Sequence, residues 1–295
     1  PDVVAETAWA LMKLGRFDDA RSAARAGIET GDPRQLEISL NALCAVEFEA
    51  GNDAASYDAC RRALDHARVT PGEPNAVDLT NFAEAARAAF RLAEAEEVLL
   101  EATRAPPAWY GNPWLELAEL YTRGARFPEA LDALRRVNPY RAQRPPHVRD
   151  SDLNEGRRAL AAFFLVVGRA ADALEITDKA LVAPDRRGHN SRDPAQDRAI
   201  IALLDRRARR VVAETTIEQS SALGFTTRAM THVEAWRARF EGWMSGRQAV
   251  RLLAEEDRLI GTCKLGTSSS AVTPPWLLGE LVQIAGAGVM LEALR

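Results

Sequence analysis

An all-α chain built from repeated helical hairpins is what the sequence predicts, on three observations. The stretch Trp114 to Val137 (WLELAELYTRGARFPEALDALRRV) reads as two short antiparallel helices. Trp114, Leu117, Ala118 and Tyr121 share one stripe, Gly124 and Ala125 turn the chain, and Arg126-Phe127-Pro128 opens a second helix. Ala130, Leu134 and Val137 form the matching stripe, with small residues where the helices must approach. A small residue early in a second helix then recurs at positions 20, 56, 95, 130 and 173, with spacings of 36, 39, 35 and 43. Finally, no run of alternating β-branched residues suggests a sheet. Neither helix of such a hairpin is long enough to be stable alone in water. Hairpins of this kind must stack to bury their apolar faces.

The elements follow in order. Repeat one spans Ala5 to Pro33, with Ala8 and Leu11 inward, Gly15 turning, and Phe17, Ala20 and Ala24 on the second helix. Gly31-Asp32-Pro33 stops it, because Pro cannot continue a helix and Gly accepts the turn. Repeat two runs from Gln35 to Ala67, turns at Gly51-Asn52-Asp53, and carries Leu40, Leu43, Cys44, Ser56, Cys60, Ala63 and Leu64 inward. Val69 to Pro74 reads as a loop. Repeat three runs from Asn75 to Ala105 and has Phe90 where the turn glycine is expected. Repeat four is the opening stretch, and Asn138 to Asp150 reads as a long basic loop. Repeat five runs from Asp152 to Pro184 with Leu160, Ala161, Phe164, Gly168, Ala173 and Ala180 in place.

These copies resemble the tetratricopeptide repeat, a helix–turn–helix unit with W-x2-L-G-x2-Y, then A-x3-F, then P. Trp114, Leu117, Ala118, Tyr121, Ala130 and Leu134 fall at those offsets, as do Ala8, Leu11, Gly15, Phe17 and Ala20. The resemblance covers roughly residues 1–184 and implies a right-handed α-solenoid of five degenerate repeats. It also implies a groove lined by the first helices. In this register the groove positions include Trp9, Lys13, Asn41, Glu84, Arg87, Glu119, Arg123 and Arg158, with Met12, Phe48 and Glu49 beside them. Arg, Glu, Asn and aromatic groups together suit an extended peptide or a partner helix. The family's carboxylate clamp for chaperone tails is absent, since its positions hold Ala5, Trp9 and Asn41.

Residues 185–295 form a second, helical region, a cap or a connector to a further domain. Asp185 to Pro194 reads as a loop, and Ala195 to Glu218, Thr226 to Met244 and Gln248 to Ile260 read as helices. Gly261 to Thr273 is a Gly/Ser/Thr-rich loop, without the order of a phosphate-binding loop. Trp276 to Leu294 reads as a last helix, and folding back onto the groove is one alternative for it beside a cap or a connector.

The chemistry-bearing residues are sparse. A net charge of -4 and a pI near 5.8 argue against general nucleic-acid binding. Arg135, Arg136, Arg141, Arg144 and Arg149 form a basic loop with His147 and Tyr140, a place for phosphate if it is more than a solvated loop. Arg206, Arg207, Arg209 and Arg210 form a second cluster, with Asp205 and Glu214 near enough for pairing within the helix. The four histidines show no zinc spacing, and no metal or other cofactor is expected. Arg61 and His66 match a loose nuclease spacing at the level of chance, and Cys263 with His232 lacks an oxyanion site. Cys44, Cys60 and Cys263 show no CxxC spacing, so Cys44 and Cys60 are expected as buried free thiols in a reducing cytosol.

The longest apolar run, Ala159 to Val167, is far short of a membrane span of roughly 20 residues. Arginine outnumbers lysine, which occurs only at 13, 179 and 264. With so much alanine, that balance reads as a GC-rich bacterial genome. The functional expectation is therefore a non-catalytic, cytoplasmic module that binds a protein or peptide. It belongs to a larger bacterial regulator or defence effector, and its partner is another protein or an adjoining domain of the same chain. Two rivals stand beside it. One is a hydrolase or nuclease with its active site in the C-terminal helices. The other is nucleic-acid binding through the arginine loop.

Overall fold

The computed structural model describes residues 3–70, 74–108, 110–146, 148–149, 152–182, 194–220, 224–244 and 246–262. Among them every regular element is an α-helix, and no strand occurs. The chain divides into two compact units. The first comprises residues 1–117 and 138–145, and the second residues 118–137 and 146–295. The first holds α1 (Val3–Lys13), α2 (Phe17–Glu29), α3 (Pro33–Ala50), α4 (Asp53–Val69), α5 (Ala76–Ala88) and α6 (Leu92–Ala102). Helices α7 (Pro113–Arg123) and α8 (Phe127–Ala142) contribute to both. The second continues with α9 (Leu153–Val166), α10 (Ala170–Val182), α11 (Pro194–Ser220), α12 (Gly224–Glu241) and α13 (Gly246–Thr262).

Five hairpins share one turn. The backbone N–H of Arg16, Asn52, Arg91, Arg126 and Arg169 donates to the carbonyl of Leu11, Glu47, Ala86, Tyr121 and Phe164, at 2.7–2.9 Å. This six-residue closure is the Schellman termination, which needs a left-handed residue just before the donor. Gly15, Gly51 and Gly168 supply it at φ 74°, 79° and 79°. Phe90 and Ala125 supply it without glycine, at φ 61° and 57°. Phe90 thus takes the glycine's conformation as well as its place. In the fourth turn the left-handed residue is Ala125 rather than the adjacent Gly124.

Twelve positions separate a pair of small residues in each hairpin: Ala8 and Ala20, Cys44 and Ser56, Ala83 and Ala95, Ala118 and Ala130, Ala161 and Ala173. Each of the ten is at most 4% exposed. A larger side chain at any of them would collide with the facing helix, since interiors have no spare volume.

Within the first unit each odd-numbered helix packs on the even one that follows, and α2 and α4 pack on the next odd helix. The odd helices α1, α3 and α5 also lie side by side. The second unit begins the same way, with α10 packed on both α9 and α11. It then departs. Helix α12 packs on α9 and α11 together, so that pair is covered by α10 on one side and by α12 on the other. Helix α13 packs on α11. Ile200, Leu203, Leu204, Ala208, Ala238, Phe240 and Leu252 are buried in one apolar cluster with Ala161 and Leu165.

Several expectations change. The stretch read as a basic loop is helical as far as Ala142, because α8 runs through Pro139. Arg135, Arg136 and Arg141 therefore lie on a helix. Cys44 and Cys60 are buried as expected but are joined as a disulfide rather than left as free thiols. Their sequence separation of 16 puts them on the facing sides of α3 and α4, with Cα atoms 5.1 Å apart. The helix expected over Trp276–Leu294, Cys263, His147, His189 and the loop at 185–193 lie outside the described residues.

Candidate recognition surface on the odd-numbered helices

The surface singled out by sequence is the face of the odd helices away from their even partners. In the first unit it begins with α1. Trp9 is half-buried and packs against the cluster of Met12, Ala20 and Val46, while Lys13 is exposed. On α3, Glu37 and Asn41 are one turn apart and half-buried. The Asn41 amide donates to Asp78 Oδ1 of α5 at 3.3 Å. Asn75 caps that helix, its Oδ1 accepting from the N–H of Val77 and Asp78. The cap fixes where α5 begins and so places Asp78 beside α3.

Burial pushes the Asp78 carboxyl above its usual range, and the Asn41 amide offsets part of that. Glu37 is raised too, first by burial and then by the charge of Asp78. Two carboxylates thus share a wall where ionising both is unfavourable. A cation arriving there would relieve both. Further along, Arg87 pairs with Glu116 at 2.8 Å, both side chains about nine-tenths buried, and Glu84 is half-buried beside them.

In the second unit the corresponding positions are already engaged. Arg158 on α9 faces Glu119 on α7 at 3.8 Å, and both are almost fully buried. The Arg123 guanidinium lies 5.0 Å from the centre of the Trp243 ring and donates to the Trp243 carbonyl at 3.4 Å. Gly242 sits directly on α9. A Cβ there would fall 2.8 Å from the Ala162 Cβ. Gly242 and Trp243, just after α12, therefore occupy the face on which Glu119, Arg123 and Arg158 were expected to meet a partner.

Charge fixes α12 there. Glu234, Ala238 and Glu241 form a stripe at helical spacing, each at most 2% exposed. Glu241 takes the Arg207 guanidinium in a two-point pair at 2.7 and 2.8 Å. Glu234 approaches the same guanidinium at 3.3 Å, and Glu256 of α13 also pairs with it. Glu234 is further met by Arg210 at 3.0 Å and Arg237 at 3.1 Å. Burial alone would lower the Arg207 pKa, but Glu241, Glu256 and Glu234 hold it well above its ordinary value. Arg206 reaches Asp257 at 2.8 Å, and Arg209 reaches Asp205 at 2.7 Å. The arginine cluster on α11 is thus largely an inter-helix latch, and the Arg209–Asp205 pair is of the kind expected within a helix.

Not every polar group on α12 and in the two residues after it has a partner among the described residues. Trp236 Nε1, Arg239 Nε and Trp243 Nε1 are buried donors with no acceptor among the described residues. Each such donor costs about 1–3 kcal/mol. Burial also pulls the half-buried Arg239 guanidinium below its ordinary pKa.

The basic positions on and after α8 are divided. Arg135, Arg136 and Arg149 are exposed, and Arg136 pairs with Asp132 at 2.9 Å. Arg141 is 9% exposed and donates to Asn138, and Arg144 is 1% exposed and donates to the Gly111 carbonyl. Those two brace the first unit and are not displayed to phosphate. A cleft of about 270 Å³ lies between α2 and α4 over α3, walled by Arg25, Asp58 and Arg62. It is smaller than the usual range for small-molecule sites. No group of three or more potential metal ligands occurs among the described residues. No described helix is long and apolar enough to cross a membrane.

Compared with known families and with curated proteins, the chain matches no family model and none of those proteins.

Sequence reasoning missed the latch. Glu234 and Glu241, seven residues apart on one helix, were the available signal.

Proposed function

We propose that the chain is a non-catalytic protein-recognition module made of tetratricopeptide-like repeats. In this reading residues 1–184 form a right-handed solenoid of five hairpins. The helices after 184 complete it and connect it to the rest of a bacterial regulator or defence effector. The observation that carries the reading is the congruence of the five hairpins: one turn bond, one left-handed residue and one pair of small residues twelve apart. Repetition of that kind builds an extended surface rather than a single catalytic pocket.

The recognition surface is the odd-helix face of the first unit. Its ligand is a peptide segment of another protein, or of an adjoining domain, that brings an apolar side chain to Trp9 and a basic one to Glu37 and Asp78. The module works in the cytoplasm, where the Cys44–Cys60 disulfide would be an exception to the usual reduced state of thiols.

Selection from a displayed library of linear peptides, with the full chain as bait, tests this. Enriched peptides are expected to share a Lys or Arg next to an apolar residue. A Trp9→Ala/Glu37→Gln variant should lose them. Absence of enrichment, or enrichment indifferent to both substitutions, would sink the reading.

A further inference from the structure

The five hairpins contain two cysteines, and both stand in the second hairpin. We infer that Cys44 and Cys60 form a thiol–disulfide switch that sets how firmly α3 and α5 hold the wall of Glu37, Asn41 and Asp78. The inference rests on the reading of that wall as a recognition surface in a cytoplasmic module, and it adds a means of regulating that surface.

Three observations carry it. The first is placement. The positions equivalent to Cys44 hold Ala8, Ala83, Ala118 and Ala161, and Ala24 of the first hairpin stands where Cys60 does in the second. Sulfur is therefore not needed to fill either seat. Here the two sulfurs face each other and join α3 to α4 across the turn. The second is that both seats also suit a thiol. The Cys60 sulfur lies 3.3 Å from the Asn81 carbonyl oxygen of α5, and as a thiol it donates to that oxygen. The Ser56 hydroxyl donates to the Cys44 carbonyl at 3.0 Å and stands 3.8 Å from the Cys44 sulfur. A disulfide has no proton to give. Oxidation thus exchanges a weak bond from α4 to α5 for a covalent tie from α4 to α3. The third is the place beside the wall. Asn41 lies one turn before Cys44 on α3, and Asp78 lies one turn before Asn81 on α5. The Asn41–Asp78 hydrogen bond therefore spans the two helices that the sulfurs hold in turn.

Disulfides that form in the cytoplasm are usually transient or redox-sensing. Closing this one takes two electrons and two protons from the thiols. A low-molecular-weight disulfide accepts them and leaves as two molecules of thiol. A dithiol reverses the step through a mixed disulfide and is itself oxidised. Cys44 and Cys60 are 4% and 1% exposed, so exchange waits on a local opening of the hairpin. The closed bridge restricts that opening, and Asn41 is then held more firmly against Asp78.

The test uses the full chain with Cys263→Ser, which removes the third thiol. It is equilibrated in glutathione buffers from mostly reduced to mostly oxidised, and alkylation followed by peptide mass gives the bridged fraction. The bridge is expected to open and close within that range. Hydrogen exchange at residues 37–44 should be at least about tenfold slower in the bridged form, with α9 and α10 unchanged. The Asp78 carboxyl, followed by NMR, should titrate at lower pH in the bridged form, because the Asn41 amide stabilises its ionised state. A Cys44→Ala/Cys60→Ala variant should lose every response to the buffer. If that variant does not fold, the Cys263→Ser titration still decides. A pair that stays bridged or stays reduced throughout, equal exchange at 37–44 in the two forms, an unmoved Asp78 titration, or a response kept by the double variant would each overturn the inference. None of these measurements uses a peptide ligand, so the peptide selection and the switch fail separately.

Discussion

Two faces of the same kind of layer are solved differently in the two units. In the first, Glu37 and Asp78 share a wall with Asn41, and burial raises both carboxyls. In the second, buried charge is answered by charge: Arg207 is ringed by Glu234, Glu241 and Glu256. The difference shows what a covering helix does for a repeat face. It converts a strip of exposed or half-compensated polar groups into a closed ionic cluster. The closed cluster is then costly to break from either side.

The largest expected effect is on the covered face. Arg207→Ala leaves three carboxylates buried together and should lower the stability of the second unit by about 3–5 kcal/mol. Urea denaturation measures it, and a loss below about 1 kcal/mol would mean the cluster is solvated. Next comes Gly242→Ala. Its methyl must displace Ala162 or lift α12, at a cost of about 1–3 kcal/mol. Hydrogen exchange should quicken in α12 more than in α9, and equal change in both would show that the two helices open as one.

The turns offer a control that belongs to neither face. Phe90→Gly and Ala125→Gly should each stabilise by about 1 kcal/mol, because glycine removes the left-handed penalty. Thermal melts check this, and any loss of stability would mean that the side chain at that turn packs more than its position suggests.

The smallest effect sharpens the open face through pH. A carboxyl whose folded pKa is raised holds its proton longer in the folded state. Folded stability is therefore unaffected well below the ordinary carboxylate pKa of about 4 and falls as pH rises above it. Above the raised pKa the penalty stays constant. Asp78→Asn removes the penalty and keeps an acceptor for Asn41. It should stabilise the first unit near neutral pH and leave stability at pH 3 little changed. A uniform shift at both pH values would remove Asp78 as the cause.

Much of the hairpin pattern in both units was legible in the sequence because its information is local. The positions 20, 56, 95, 130 and 173 could be read from small residues at a steady offset from a turn, and all five are fully buried. Phe90 was correctly placed at a turn although its type gave no hint of a left-handed backbone. The boundary after Val137 misled because Pro139 looks like a stop, whereas α8 carries it. The arginines of α11 looked solvated for a different reason. Which carboxylates Arg206 and Arg207 meet depends on where α12 and α13 pack, and no feature within α11 encodes that. The pairing of Cys44 with Cys60 was hidden likewise, since it follows from the facing of two helices rather than from a spacing motif.

The constant twelve inside each hairpin and the variable lengths between hairpins have a consequence for insertions and deletions. One residue added within the turn at 89–91 would rotate all of α6 by about 100° and carry Ala95 off its seat. Several residues added between Thr103 and Asn112 would only lengthen a connection, and doubling a connection costs about 0.6 kcal/mol. Length variation among descendants of this chain should therefore collect between the hairpins and spare their turns. The arrangement tolerates growth at its joints and forbids it in its hinges.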